Sequence, residues 1–267
     1  MFFPLHDQNN EAVRTVPIIS YAVIGLCLLI HLLTITLQFA GPGKATDFLY
    51  RHAMVPMTYF SGMAVMHDKP ESPGTTDFKA ETPAEALETA PTEAATTDSS
   101  LLWIWLMPFT CIFIHANWMH LLTNLWFFWI FADNIEEKFG SIFFMVCYAL
   151  TGYFSSLTHA LLNHDSVIPM IGASGAISGI MGAYMVTFPR NRITSYFCPA
   201  WFFIRRLDVP AIVVLGFYLL LNTTQLLQKS GVQTSVAVDA HISGFITGVI
   251  LAYIIGIFMP RSPAAIS

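Results

Sequence analysis

Residues 239–259 read DAHISGFITGVILAYIIGIFM. A membrane-crossing helix needs about 20 mostly apolar residues, and this stretch supplies them. Its first turn nevertheless carries Asp239, His241 and Ser243. Polar and ionisable groups inside a membrane helix are costly and mark functional positions. His241, Gly244 and Gly248 fall at i, i+3 and i+7, so they share one face. Small residues on such a face let a second helix approach with its backbone close.

A partner for that face lies at 171–189, IGASGAISGIMGAYMVTFP, where Gly175, Gly179 and Gly182 form a second stripe of small residues. Packing the two stripes together would carry His241 towards Ser174. Further apolar stretches of spanning length lie at 16–39, 118–137, 141–162 and 208–227. The stretch Leu101–Ile114 is too short to span, and Pro108 divides it, so it reads as an interfacial or re-entrant segment and not a seventh span. The expected fold is an all-α membrane protein: a six-transmembrane-helix bundle with a re-entrant first outer loop.

The composition excludes the commonest alternative. Hydrophobic residues make up 55% of the 267-residue chain and charged residues 11%, against about 25% charged in a soluble domain. The net charge of −5 reflects a cluster of acids between Asp47 and Asp98, which argues against nucleic-acid binding. Residues 67–100 are acidic and rich in Pro, Thr, Ala and Ser, and read as a disordered insertion in the first outer loop. The apolar run from Val16 is too long for the core of a cleavable signal and reads as a first membrane helix. Cys27, Cys111, Cys147 and Cys198 show neither pairing nor metal-type spacing and read as buried thiols.

Orientation follows from positive charge. The short loop 190–207 carries Arg190, Arg192, Arg205 and Arg206, whereas 163–170 carries no Lys or Arg. Both termini are therefore expected on the cytoplasmic side, with a cytoplasmic segment 1–15, a membrane domain 16–259 and a cytoplasmic tail 260–267. The N-terminus favours a bacterial cytoplasmic (inner) membrane over an organelle. Spans two, four and six then all begin at the outer face. Their first turns hold His120 and Asn124, Ser174 and Ser178, and His241 and Ser243 at one depth.

That inventory suits acyl transfer: a hydroxyl nucleophile, an imidazole base and donors for an oxyanion. Glycine on both sides of Ser174, at Gly172 and Gly175, lets the backbone bend there. At a helix start the Ser174 N–H is free to face a developing negative charge. The alternatives are a Ser174 that only caps its helix, a His241 with a structural role, and a hydrogen-bond network between helices. A zinc site from His115, His120 and His241 is a further option. Asp239, two residues before His241, does not face its ring within a helix and reads as a solvated helix-start carboxylate. His31, His159 and His164 read as structural.

The runs 115–124 (HANWMHLLTN), 172–175 (GASG) and 240–244 (AHISG), in this order, resemble the rhomboid family. The turn at 131–140 and the stretches 182–184 and 188–190 are also similar, and the resemblance covers about 41–61 and 101–259. It implies a rhomboid-like bundle and an intramembrane serine protease with Ser174 as nucleophile and His241 as base. It further implies an oxyanion site of His120, Asn124 and the Ser174 N–H, supported by His115, Gly172, Gly175 and Gly244. The implied partners are the lipid bilayer and single-span protein substrates, cut near the outer end of the span; no metal or cofactor is implied. Three positions depart from the family pattern. Leu106-Met107 stands where many members have Trp-Arg, Ser178 where some have tyrosine, and Asp239 where an aromatic is frequent. An inactive helix-binding relative and, beyond the family, a transporter are the rival readings.

Overall fold

The structure, a computed structural model, describes residues 2–8, 16–41, 43–65, 101–200, 203–228 and 237–258. The acidic insertion 67–100 and the tail 260–267 lie outside the described residues. The helices are α1 (Ile18–Phe39), α2 (Lys44–His52), α3 (Pro56–Val65), α4 (Leu101–Thr110), α5 (Trp118–Phe139), α6 (Ser141–Leu162), α7 (Ser174–Thr187), α8 (Ala211–Gln228) and α9 (Val238–Phe258). Strands β1 (Phe2–Gln8), β2 (Arg192–Ala200) and β3 (Phe203–Pro210) form one antiparallel sheet in that order.

The molecule is predominantly helical, and α1, α6, α8 and α9 are long and apolar enough to cross a membrane. Two further helices fall short by that measure. The end of α5 carries Asp133, Glu136, Glu137 and Lys138, and α7 has only 14 residues. Large apolar side chains such as Leu29, Trp129, Ile142, Phe217, Tyr253 and Ile257 face outward. In water such a surface would be costly; against lipid it is the required one.

The bundle is built around α7, whose residues from Gly175 to Tyr184 are all buried. Glycines set the spacing. A side chain on Gly244 would meet the Gly175 carbonyl, and one on Gly248 the Gly179 carbonyl, so α7 and α9 run parallel. Gly175 and Gly179 also lie against Ser155 and Thr151, in falling order along α6, so α6 runs antiparallel to α7.

Local signals explain the helix ends. Asn117 caps α5 by accepting from the His120 N–H at 2.9 Å. Gly140, at φ +85°, closes α5 and opens α6. The start of α1 lacks a capping side chain of its own and has no acid in its first turn. Glu136 of α5 serves instead, accepting from the Ile19 N–H at 2.9 Å, the Ser20 N–H at 2.8 Å and the Ser20 hydroxyl at 2.7 Å. A carboxylate is favoured there by the helix dipole. The Ser141 hydroxyl donates to the same carboxylate at 2.6 Å, so Glu136 ties three helices together.

Two local features differ from the sequence-based expectation. The arginine-bearing loop 190–207 is part of a hairpin, β2–β3, and residues 2–8 of the N-terminal segment add to it as β1. The run RITSYF is rich in β-branched and aromatic residues that favour strands, but β1 lies far off in sequence, and no local pattern announces the pairing. Pro108 does not divide the 101–114 segment. α4 continues past it to Thr110, and a 3-10 turn, Cys111–Phe113, follows. Of the four cysteines, Cys27, Cys111 and Cys147 are free and buried, and Cys198 lies outside the described side chains.

Candidate active site

Ser174 is the first residue of α7, and the capping position before it belongs to Ala173, whose side chain makes no capping bond. The serine hydroxyl is thus not spent on the helix end. It lies 2.8 Å from Nε2 of His241, which sits in the first turn of α9. The parallel glycine packing of α7 on α9 is what brings the two first turns together. Both side chains are partly buried.

The approach to this pair is shaped by Gly172, at φ +117°, a conformation that side-chain-bearing residues rarely adopt. A Cβ there would stand 2.7 Å from Nε2 of His120 and 3.7 Å from Nδ2 of Asn124. The backbone just before Ser174 therefore runs beside both candidate oxyanion donors of α5. Nδ2 of Asn124 donates one hydrogen to the His120 carbonyl at 3.0 Å, and its second N–H remains for another acceptor.

His115 is fully buried, with its ring 5.2 Å from that of His120. Its carbonyl bonds Nδ1 of His31 at 3.2 Å, which ties the middle of α1 to this corner. Among the described residues no three His, Cys, Asp or Glu side chains are grouped to hold a metal ion.

Asp239 requires a correction. It is only 3% exposed, not solvated. Its Oδ1 lies 2.9 Å from Nδ1 of His159, and its Oδ2 accepts from Nδ2 of Asn163 at 2.7 Å. Oδ1 also accepts the Ala240 N–H at 2.9 Å. Asp239 does turn away from His241, as its position in α9 implies, but its partners come from the end of α6.

Two residues of α8 escaped sequence reasoning. Oδ1 of Asn222 lies 3.0 Å from Nδ1 of His241. One turn earlier, the Tyr218 hydroxyl lies 2.6 Å from Oγ of Ser178, which itself donates to the Ser174 carbonyl at 2.8 Å. The Tyr218 ring is tilted against that of His241, with centroids 6.4 Å apart. An aromatic neighbour of the imidazole thus comes from α8, while the position four residues after Ser174 holds a small hydroxyl. The available signal was Asn222 itself, an amide placed directly after Leu219-Leu220-Leu221 and ahead of Thr223-Thr224-Gln225.

Apolar helices that bring a serine hydroxyl onto an imidazole define a helical integral membrane protein with a serine–histidine pair at one end of its bundle. Comparison with known proteins names the family. The model of the rhomboid domain matches residues 103–258, more than half of the chain, and the chain belongs to the rhomboid family. The Haemophilus influenzae rhomboid protease GlpG is 31% identical over 143 residues, 53% of this chain and 65% of that protein. RHOMBOID-like protein 1 of Arabidopsis thaliana is 27% identical over 146 residues, 55% of this chain and 33% of its own length. Rhomboid-like protein 11, chloroplastic, from the same plant is 28% identical over 169 residues, 59% and 55% of the two chains. The chain therefore spans between a third and two thirds of the length of these relatives.

Proposed function

We propose that this chain is an intramembrane serine endopeptidase that cleaves single-span membrane proteins near the outer end of their helix. The observation that carries the reading is the 2.8 Å approach of Oγ of Ser174 to Nε2 of His241. Oγ attacks the scissile carbonyl carbon while its proton passes to Nε2. The carbonyl oxygen, now an oxyanion, accepts hydrogen bonds from the Ser174 N–H, His120 and Asn124, and the dipole of α7 favours the charge. The C–N bond then breaks as Nε2 gives its proton to the leaving amine. Water, deprotonated by His241, attacks the acyl-serine ester and releases the new carboxyl terminus and Ser174.

In this reading α1, α5, α6, α7, α8 and α9 are six spans, and Leu101–Ile114 dips into the membrane without crossing it. At about 1.5 Å per residue, the 14 residues of α7 cover about 21 Å, less than the roughly 30 Å hydrocarbon layer. A helix that short cannot reach both surfaces, and in this reading its Ser174 end is the one that stops below the lipid headgroups, which would put the peptide-bond chemistry inside the bilayer. The arginines of 190–207 assign the β2–β3 side, and with it both termini, to the cytoplasm. The membrane domain is 16–259, and a bacterial inner membrane is its proposed home.

The test uses a fluorophosphonate probe and a panel of purified single-span substrates. The wild-type protein is expected to be labelled at Ser174 and to cleave at least one substrate. Ser174→Ala and His241→Ala should fold, as judged by thermal unfolding, and lose roughly 10⁶-fold in kcat, since nucleophile and base act as a unit. Labelling that persists in Ser174→Ala removes the nucleophile assignment. Substrate capture without products in the wild-type protein would make the chain a binding protein instead.

A further inference from the structure

We infer that Asn222 is a positioning residue that fixes the proton of His241 on Nδ1, so that Nε2 faces Ser174 as a free base. This deepens the serine-protease reading and rests on it. Hydrogen-bond polarity fixes which way the amide faces. An asparagine side chain offers one acceptor oxygen and one donor nitrogen. Nδ2 of Asn222 lies 2.9 Å from the Tyr218 carbonyl, which can only accept, so the amide nitrogen must face it. The amide oxygen is then the atom 3.0 Å from Nδ1 of His241. An oxygen cannot donate, so Nδ1 must carry the hydrogen. Nε2 is left with its lone pair towards the Ser174 hydroxyl, 2.8 Å away. Turning the amide over would oppose two carbonyl oxygens at Tyr218 and leave Nδ1 facing an N–H donor.

The amide is itself held in place. Asn222 is buried. Tyr218, whose carbonyl receives its N–H, is anchored by its hydroxyl against Ser178 of α7. Tyr218 and Asn222 are four apart on α8 and so occupy one face, one meeting the backbone of the nucleophile's helix through Ser178, the other the base. Asp239, the nearest carboxylate to His241 in sequence, is engaged by His159, Asn163 and the Ala240 N–H. A neutral amide from a third helix therefore takes the orienting place that a carboxylate holds in many serine hydrolases.

Two isosteric replacements separate positioning from packing. Asn222→Asp keeps the acceptor oxygen towards Nδ1, and its protonated carboxyl can donate to the Tyr218 carbonyl in place of the amide N–H; Asn222→Leu keeps the approximate volume and loses the acceptor. Asn222→Leu is expected to lower kcat by roughly 10²-fold with KM within about twofold, since the loss falls on the chemical step and not on binding. Asn222→Asp should stay within about tenfold of wild type. Equal kcat in wild type and Asn222→Leu, or equal losses in both variants, overturns the proposal.

The proton position is read separately by ¹⁵N NMR of ring-labelled histidine in detergent micelles, with the His241 signals assigned from a His241→Gln sample. Wild type should show one tautomer, protonated on Nδ1, and Asn222→Leu a mixture. A wild-type tautomer protonated on Nε2, or spectra identical in the two proteins, also overturns the role of Asn222, whether or not any substrate has been found. Failure of the protease reading shows elsewhere, as the absence of Ser174-dependent labelling.

Discussion

The backbone of Gly179 fills the space in which a side chain on Gly248 would begin. An ideal Cβ on Gly248 would stand 2.8 Å from the Gly179 Cα and closer still to its carbonyl. Neither neighbour is a flexible side-chain end that can swing aside. Gly248→Ala should therefore force α7 and α9 apart and destabilise the protein by about 3 kcal/mol, the upper part of the range for overpacking. Gly256, farther along α9, has open space around it. Gly256→Ala should be neutral or stabilise by about 0.5 kcal/mol, as alanine is the better helix former. Unfolding of both variants in mixed micelles checks the pair. Equal stability would mean that the two helices do not pack through these glycines.

This packing is also where the sequence was most informative. Spacing alone put His241, Gly244 and Gly248 on one face and Gly175, Gly179 and Gly182 on another, and the two faces meet. The juxtaposition of Ser174 and His241 follows, because both lie in first turns of parallel helices. What could not be read locally came from far along the chain. His159 is 80 residues from Asp239, and Glu136 is 116 residues from the Ser20 it caps. Asn222 lies within an apolar helix whose periodicity does not say which face meets α9. The sheet is the clearest case, since β1 gains its partner some 190 residues later, at Arg192–Phe197.

Asp239 and His159 form a buried clamp between the start of α9 and the end of α6, with Asn163 as third member. Because Asp239 is nearly inaccessible, removing one partner leaves polar groups without their bonds. Asp239→Ala should cost about 3 kcal/mol. His159→Ala should cost a similar amount, and the double variant scarcely more than either, since members of one network are not additive. Both single variants should also lose cleavage, because the clamp sets where α9, and so His241, begins. A double-mutant cycle on unfolding free energy, run beside activity, is the check. Strict additivity would show that the two residues act independently. Full stability of Asp239→Ala with lost turnover would point instead to a direct part in the chemistry.

Asp7 makes the docking of β1 depend on pH. Its Oδ2 accepts from Nδ2 of Asn134 on α5 and from the Tyr184 hydroxyl on α7, each at 2.8 Å. Burial pushes the Asp7 carboxyl above its ordinary range, against the opposing pull of the Tyr184 and Asn134 hydrogen bonds and of nearby His6. The docked strand thus binds the proton more tightly than the free segment does. By linkage, docking is strongest where both forms are protonated, weakens as pH rises from the ordinary carboxylate value through the raised one, and is level above it. Asn at this position can accept the same two bonds without ionising. Asp7→Asn should therefore hold β1 with equal firmness across the range. Hydrogen exchange of the β1 amides paired with β2, corrected for the intrinsic pH dependence of exchange, measures this. The wild-type protein should lose protection relative to the variant as pH rises. Protection that climbs with pH in the wild type, or that runs parallel in the two proteins, would mean that the Asp7 charge does not govern the strand.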